Sequence, residues 1–129
     1  MFVLRDATWR GDLDAIRACL AEHPNLTMHA LGMFMTAYSK VVLGELEPSF
    51  LVDAFTPALV KARSPRFLSL AHQLIAETFA ARGQEEGALA HIQKGAELAL
   101  IELTWMERCP LLEPLRKKPA FQQALQLVR

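Results

Sequence analysis

The fold is decided by one stretch of sequence, residues 66–100, which reads RFLSLAHQLIAETFAARGQEEGALAHIQKGAELAL. Apolar and small residues recur in it every three to four positions, on both sides of a turn at Arg82-Gly83-Gln84. Recurrence at that interval is typical of amphipathic helices that bury one face. The stretch therefore predicts two antiparallel helices, an αα-hairpin. Small residues stand where the two backbones would approach closely: Ala71, Ala76, Ala88 and Gly95.

The composition is that of an ordinary folded domain. The 129 residues are 52% apolar and 22% charged, which is too apolar for a disordered chain and fits one domain. Basic and acidic side chains number 14 each. A protein that binds nucleic acid needs a basic surface to neutralise phosphates, so we expect no nucleic-acid partner. The basic cluster from Arg116 to Lys118 is expected to be a solvated turn between helices.

Nothing in the sequence indicates export or membrane insertion. The N-terminal residues lack the basic and apolar regions of a signal peptide. The most apolar run, residues 26–43, is interrupted by polar side chains and falls short of a membrane span. Cys19 and Cys109 do not make a disulfide framework and are expected to be reduced thiols. These features together predict a soluble, cytoplasmic protein.

Helical periodicity continues before the hairpin. Residues 2–9 predict a short first helix, and Asp12 is placed to cap a second helix over residues 13–22. A third helix is predicted over residues 26–43 and a fourth over residues 49–62.

Prolines divide the rest of the pattern. Pro57 lies inside the fourth helical pattern, where it either kinks the helix, the alternative we favour, or starts a new short one. Pro110 and Pro114 limit the segment after the hairpin to short helical turns. Pro119 then opens a last helix that ends at Val128.

The predicted helices group into repeated pairs. The hairpins cover residues 2–22, 26–62 and 66–100, and residues 101–129 form a shorter end piece. Units of about 35 residues are typical of stacked helical hairpins, each of which buries its face on the next. We expect one all-α domain over residues 1–129, a right-handed stack of about three helix-turn-helix hairpins with a C-terminal capping helix. The cap should be anchored by large apolar residues: Trp105, Leu111, Leu112, Leu115 and Phe121.

The hairpin at residues 66–100 resembles the tetratricopeptide repeat. Five residues stand on that family's small, aromatic, glycine, alanine and large apolar positions: Ala76, Phe79, Gly83, Ala88 and Ile92. Gly95 stands where the family usually has alanine, and Leu100 replaces its closing proline. The resemblance implies a TPR-like stack in which the first helix of each hairpin lines a concave groove for another protein.

The tail, LTWMERCPLLEPLRKKPAF at residues 103–121, resembles a second group of proteins. It is similar to the end of the helical-repeat regions at the C-terminus of bacterial serine/threonine protein kinases, adenylate-cyclase-like regulators and related signalling proteins. That resemblance implies an interaction or sensing region. It does not imply kinase activity, because the sequence lacks the glycine-rich loop, strand lysine and aspartates of a kinase.

We recognise no catalytic or metal-binding constellation. Cys19 and His23 stand four residues apart, the spacing of two ligands on one helical face, but no third ligand accompanies them. His72 and His91 lie on the two helices of the hairpin and can approach each other, although satisfied or surface histidines are the simpler interpretation. We therefore expect no enzyme activity, no metal and no cofactor.

Two surfaces remain as candidates for binding another protein or peptide. The groove face of the hairpin would present Leu70, Gln73, Glu77, Ala80 and Gln84. The third helix would present a methionine-rich face made of Met28, Leu31, Met35, Tyr38 and Val42. Methionine adapts to irregular partners. The alternatives are ordinary solvated positions for the groove, and for the third helix a middle helix packed on both sides by its own stack.

The predicted function is non-catalytic protein–protein interaction, as an adaptor or as the sensing or scaffolding region of a bacterial signalling protein. A homodimer would satisfy the apolar third helix. A different class of function, the binding of a small ligand, would use an apolar space between the third and fourth helices, walled by Met33, Phe34 and Phe55.

Overall fold

The described part of the chain is almost entirely helical. The computed structural model describes residues 2–25, 30–61, 65–97 and 103–129. The helices are α1 (Phe2–Arg10), α2 (Leu13–Glu22), α3 (Ala30–Val42), α4 (Pro48–Lys61), α5 (Pro65–Ala81), α6 (Glu85–Glu97), α7 (Leu103–Arg108) and α8 (Pro119–Val128), with a 3₁₀ helix at Pro110–Leu115. No strand occurs in those four ranges, so the predicted all-α class is confirmed. Within the same ranges, no helix is both long and apolar enough to cross a membrane.

The helix boundaries follow the signals in the sequence. Asp12 caps α2 as predicted, because its side chain accepts a hydrogen bond from the backbone N–H of Ala15 at 3.0 Å. α4 runs through Pro57, so the alternative of a new helix at that residue is wrong. Pro119 is the first residue of α8, as predicted. The predicted start of the third helix at residues 26–29 and the end of the hairpin at 98–100 lie outside the described residues.

α5 and α6 form the predicted hairpin. Gly83 in the turn has a φ of +71°, a left-handed conformation that glycine adopts without strain. A Cβ atom added at Gly87 of α6 would overlap the ring of Phe79 on α5, so this glycine permits a very close approach of the two helices. The small residues that we expected at the approach are all buried: Ala71, Ala76, Ala88 and Gly95.

α5 occupies the centre of the molecule. It contacts α3, α4, α6 and the 3₁₀ helix, whereas α1 contacts α2, α3 and the 3₁₀ helix. One apolar core lies among α1 to α5 and includes Leu4 and Leu51. A second core lies between the hairpin and the tail and includes Ile92 and Met106. Phe79 packs against both cores and so links them.

Arg82 fastens the end of α5 to the turn between α3 and α4. Its Nη1 donates hydrogen bonds to the backbone oxygens of Val41 at 3.2 Å and Leu46 at 3.0 Å. The last carbonyls of a helix have no partner within the helix, and a basic side chain can supply one. This contact holds α3 beside α5.

The tail packs on the hairpins as a cap. The predicted anchors are buried, except for Leu111, which is half-buried: Trp105, Leu112, Leu115 and Phe121. Arg116 donates hydrogen bonds to the backbone oxygens of Met106 at 3.1 Å and Cys109 at 2.6 Å. The expectation of a solvated turn is therefore wrong for Arg116, because its guanidinium holds the tail in place.

Candidate functional site

A single carboxylate, that of Glu77 on α5, is fully buried where α1, α3, α5 and α7 meet. Its side chain is 0% exposed. Arg5 of α1 is its counter-ion: Arg5 Nη2 lies 2.8 Å from Glu77 Oε2, and Arg5 Nε lies 3.0 Å from each carboxylate oxygen. A buried charge is very unfavourable unless it is paired and hydrogen-bonded, and the contact with Arg5 meets that requirement.

Three aromatic side chains donate further hydrogen bonds to the same carboxylate. Trp9 Nε1 donates to Oε1 at 2.8 Å, and the Tyr38 hydroxyl donates to Oε1 at 3.0 Å. Trp105 Nε1 donates to Oε2 at 3.2 Å. These donors are both tryptophans and the only tyrosine of the chain. We call the whole group the Glu77 centre; its members are Arg5, Trp9, Tyr38, Glu77 and Trp105.

Local structure places each donor. Arg5 and Trp9 stand four residues apart on α1 and therefore share one face of that helix. The Arg5 guanidinium also lies over the Trp9 ring, 5.1 Å from its centroid, in a cation–π contact. Tyr38 lies on the side of α3 that the buried Met35 also faces. Trp105 comes from α7, a helix of six residues in the tail.

The charges of the centre fix the protonation states around it. Burial, followed by the charge of Glu77, raises the pKa of Tyr38 well above its ordinary value, so the phenol stays protonated and remains a donor. Burial lowers the pKa of Arg5, but the hydrogen bond and charge of Glu77 outweigh burial and the net shift is upward. Burial and Glu77 also raise the pKa of the Cys109 thiol to about 12, which keeps this thiol protonated and unreactive.

The carboxylate of Glu77 is saturated with donors. A carboxylate offers about four lone-pair sites, and Arg5, two indoles and a phenol approach its two oxygens. A general base needs an oxygen that is free to take a proton from a substrate. The arrangement is therefore suited to joining four helices and not to abstracting a proton.

Two more polar side chains lie on the same side of α5, one and two turns before Glu77. Gln73 and Ser69 are each 2% exposed. Gln73 Nε2 and Ser69 Oγ have no hydrogen-bond partner among the residues that the structure describes. An unpaired buried polar atom destabilises a fold by roughly 1–3 kcal/mol. Among the described residues, Glu77 thus has hydrogen-bond partners, whereas Gln73 Nε2 and Ser69 Oγ have none.

The predicted groove residues lie at different depths. Gln73 and Glu77 are buried, Leu70 and Ala80 are half-buried, and Gln84 is exposed. The expectation of an open groove is therefore wrong at Gln73 and Glu77. At Glu77 the reason is that α1 and α7 bring their donors over this face of α5.

The methionine-rich face of α3 is buried at Met35 and Tyr38 and half-buried at Val42. Met35 is 4% exposed and Tyr38 is 0% exposed, which favours the alternative of a helix packed by its own neighbours. The expectation that these two residues contact a partner is therefore wrong in this conformation. Met28 and the side chain of Leu31 lie outside the described residues.

The predicted apolar space between α3 and α4 contains a direct contact between two of its expected walls. The rings of Phe34 and Phe55 meet edge to face, with their centroids 4.9 Å apart. Met33, the third expected wall, is 49% exposed and so is not enclosed.

α4 presents an apolar face to solvent. Phe50, Ala54 and Pro57 are spaced by four and three residues, so they share one side of the helix, and all three are exposed. Phe50 is 52% exposed. The opposite side of α4 packs into the core through Leu51 and Phe55. We call Phe50, Ala54 and Pro57 the α4 outer face. Aromatic residues of this kind are enriched at protein interfaces.

The metal-ligating side chains are mostly dispersed. No group of three or more of them comes together in the described part of the chain. His23 is exposed at the end of α2, and Cys19 is half-buried. The approach of the two hairpin histidines is confirmed, since His72 Nδ1 and His91 Nδ1 lie 3.0 Å apart.

The function of this chain has to be argued from the geometry of the described residues, since comparison with known proteins does not supply it. The resemblances to the tetratricopeptide repeat and to the tails of bacterial signalling proteins stay predictions. No protein-family model, curated protein or solved structure matches this chain.

Proposed function

We propose that this chain is a non-catalytic protein-binding module, an adaptor or a sensing region of a larger signalling protein, and that the α4 outer face is its docking surface. One observation carries the proposal: an apolar strip is exposed on a helix whose other side is packed into the core. A contiguous apolar strip at the surface is typical of a site that another protein covers.

The contacts between helices support a stack of hairpins. α1 contacts α2, α3 contacts α4, and α5 contacts α6, while α3 contacts both α1 and α5. These are the neighbours that stacked hairpins would have. We therefore propose the TPR-like, right-handed arrangement that the sequence predicts.

The chain's own tail occupies the inner side of the proposed stack. Glu77 on α5, Tyr38 on α3 and Arg5 on α1 all lie on the side where Trp105 of the tail binds. In repeat proteins of this kind, that side holds the peptide ligand. Because the tail fills it here, docking is left to the outer helices, of which α4 offers the apolar strip.

A second copy of this chain is the first partner to test. The formal net charge is zero, so two copies have no net electrostatic repulsion. Asp53 and Lys61 are both exposed on α4, four residues before and after Pro57. A two-fold pairing of antiparallel α4 helices about Pro57 would bring Asp53 of each copy opposite Lys61 of the other, in a self-complementary contact. Phe50 of each copy would then pack just past Lys61, at the C-terminal end of the other copy's α4.

The test is the mass in solution, measured by light scattering behind size exclusion from micromolar to millimolar concentration. The wild-type chain is compared with Phe50→Asp and with Leu127→Asp on α8. Leu127 is a matched control because it is 53% exposed, against 52% for Phe50. We expect the wild type and Leu127→Asp to move toward a dimer and Phe50→Asp to remain a monomer. Circular dichroism should show the same helicity for all three.

Other results have equally definite meanings. A dimer that Phe50→Asp does not weaken would contradict the α4 outer face as the docking surface. A monomeric wild type would exclude the second copy, and the same three chains would then serve as baits for other proteins. If the wild type captures nothing that Phe50→Asp fails to capture, the proposed function is wrong.

A further inference from the structure

Pro57 interrupts the backbone hydrogen bonds of α4 in the middle of the α4 outer face. The helix continues through this proline, and Pro57 is exposed to solvent. Proline has no backbone N–H, so the carbonyl four residues earlier, that of Asp53, lacks its helical donor. The preceding carbonyl is different, because Val52 O accepts a hydrogen bond from the Thr56 hydroxyl. The main-chain oxygen of Asp53, an exposed residue, is therefore left to a donor from outside the helix.

The charges of α4 are symmetric about the same proline. Asp53 lies four residues before Pro57 and Lys61 four residues after it, and they are the only charged residues of this helix. Both are exposed. Eight residues of a helix span about 12 Å, which is too far for Lys61 to reach Asp53 of its own chain. A lysine that binds Asp53 in this way must come from another molecule.

We propose that the main-chain oxygen of Asp53 is the recognition point of the α4 outer face, and that the Lys61 ammonium of a second copy of this chain binds it. An ammonium group has three N–H donors, so it can bond to this oxygen and to the Asp53 carboxylate together. The inference deepens the proposed function and rests on it, since it names the contact by which two α4 outer faces pair.

Antiparallel pairing about Pro57 forms this contact twice. A two-fold axis beside Pro57 places Lys61 of each copy next to Asp53 of the other, so one dimer holds two identical contacts.

The Asp53 oxygen also restricts which partner fits. Docking excludes water from the apolar strip, and a polar group that loses water without gaining a hydrogen bond opposes binding. A partner helix with only apolar side chains would leave this oxygen unpaired. A second copy supplies a donor to it and accepts one in return.

The first experiment tests the pairing by exchange of charge. Asp53→Lys gives a chain with two cations on α4, and Lys61→Asp gives a chain with two anions. Either variant alone places like charges opposite one another, whereas a mixture places opposite charges together at both contacts. At low ionic strength, light scattering should show each variant as a monomer and the equimolar mixture as a dimer. Circular dichroism should show wild-type helicity for both, since both positions are exposed.

The second experiment tests the main-chain oxygen. Pro57→Ala supplies the backbone N–H that the Asp53 carbonyl lacks, and Lys61→Met removes the ammonium but keeps an apolar stem. We expect Lys61→Met to raise the dissociation constant of the dimer at least about tenfold, and Pro57→Ala to raise it about threefold. Together they should have no more effect than Lys61→Met alone, because both act on one contact. Lys94→Met, at an exposed lysine of α6, is the matched control and should leave the constant unchanged.

The outcomes separate this inference from the proposed function. If Phe50→Asp abolishes the dimer while Lys61→Met and Pro57→Ala leave its dissociation constant unchanged, the recognition point is wrong and the docking surface stands. If Pro57→Ala weakens the dimer equally with and without the Lys61 ammonium, the proline acts through the shape of the helix and not through the Asp53 oxygen.

Two further results would overturn the pairing itself. One is a mixture of the charge-exchange variants that associates no more than either variant alone. The other is a wild type that remains a monomer at millimolar concentration, in which case the proposed function is still tested with other proteins.

Discussion

Two regions of this molecule reverse the usual distribution of polar and apolar groups. At the Glu77 centre a carboxylate is 0% exposed, whereas on the α4 outer face Phe50 is 52% exposed. The buried carboxylate is unfavourable unless it is paired, and an exposed apolar strip is typical of a site that another molecule covers. The buried carboxylate has its partners within the chain, and the exposed strip has none among the residues described. The first region therefore organises this chain, and the second is the surface that we propose for docking.

The Glu77 centre organises the chain because its members are distant in sequence. The hydrogen bonds of Glu77 span 72 residues to Arg5, 68 to Trp9, 39 to Tyr38 and 28 to Trp105. Apolar contacts tolerate many packings, but a buried charge is satisfied only where its donors converge. We therefore regard the centre as the feature that selects one arrangement of α1, α3, α5 and α7.

The largest difference in the free energy of unfolding between a buried and an exposed position is expected for two methionines on α3. Met35 is 4% exposed and Met33 is 49% exposed. Met35→Glu would bury an unpaired charge, so it should lower the free energy of unfolding by about 4 kcal/mol or more. Met33→Glu should change it by less than about 0.5 kcal/mol. Urea unfolding followed by circular dichroism measures both, and similar values for the two variants would contradict the burial of this side of α3.

The next largest effect is expected from Glu77→Gln. The substitution keeps the shape of the side chain but leaves Arg5 without its counter-ion, so unfolding should become easier by about 3 kcal/mol. Glu45→Gln is the control, because Glu45 is exposed in the turn between α3 and α4. A loss of less than about 1 kcal/mol for Glu77→Gln, close to the control, would mean that the centre does not hold the helices together.

The helices could be predicted from sequence because their signals are local. Periodicity located both helices of the hairpin, Asp12 marked the start of α2, and Pro119 marked that of α8. The burial of Trp105 and Phe121 in the cap was likewise readable from their size and spacing. Each of these signals is complete within one or two helical turns.

The Glu77 centre could not be predicted because it has no local signal. A glutamate within a helix is ordinarily a solvated residue, and neither Trp9 nor Trp105 lies near Glu77 in sequence. The donors converge on Glu77 only when the four helices pack together. The same argument explains why the sequence predicts Glu77 on an open groove. Whether this face of α5 is open depends on where the tail lies.

A smaller effect is expected from Trp105→Phe, which tests the contribution of the tail to the Glu77 centre. Phenylalanine keeps most of the packing and removes the N–H that donates to Glu77 at 3.2 Å. Loss of one hydrogen bond to a charged group should lower the free energy of unfolding by about 1.5 kcal/mol. The same substitution in a Glu77→Gln chain should have a smaller effect, because the charged acceptor is gone. Equal effects in both backgrounds would show that the bond contributes nothing.

The histidine pair, His72 and His91, is less buried than Glu77 and less exposed than the α4 outer face. It should make the free energy of unfolding depend on pH. The pKa of His91 is lowered to about 4 from an ordinary value of 6.5, so the unfolded chain binds a proton there that the folded chain does not. Stability from this group is therefore present above pH 6.5 and is lost as pH falls toward 4. His72 and Lys94 are the titratable groups that lower the pKa of His91, and Phe79 stacks on its ring.

The variant His91→Asn isolates this contribution. Between pH 7 and pH 4, the wild type should lose about 1–3 kcal/mol more stability than the variant. Subtraction removes the effect of carboxylates that both chains share. Parallel pH profiles for the two chains would mean that His91 is not neutral and buried.

The smallest effect on stability is expected at the α4 outer face, because a residue that serves docking need not contribute to folding. Phe50→Ala, measured where the chain is a monomer, should change the free energy of unfolding by less than about 0.5 kcal/mol. Leu51→Ala, one residue later and 0% exposed, should lower it by about 2–5 kcal/mol. An effect of Phe50→Ala as large as that of Leu51→Ala would make Phe50 part of the core and remove the basis for a docking surface. A negligible effect of Phe50→Ala would leave Phe50 without a role in folding, as the proposed docking surface requires.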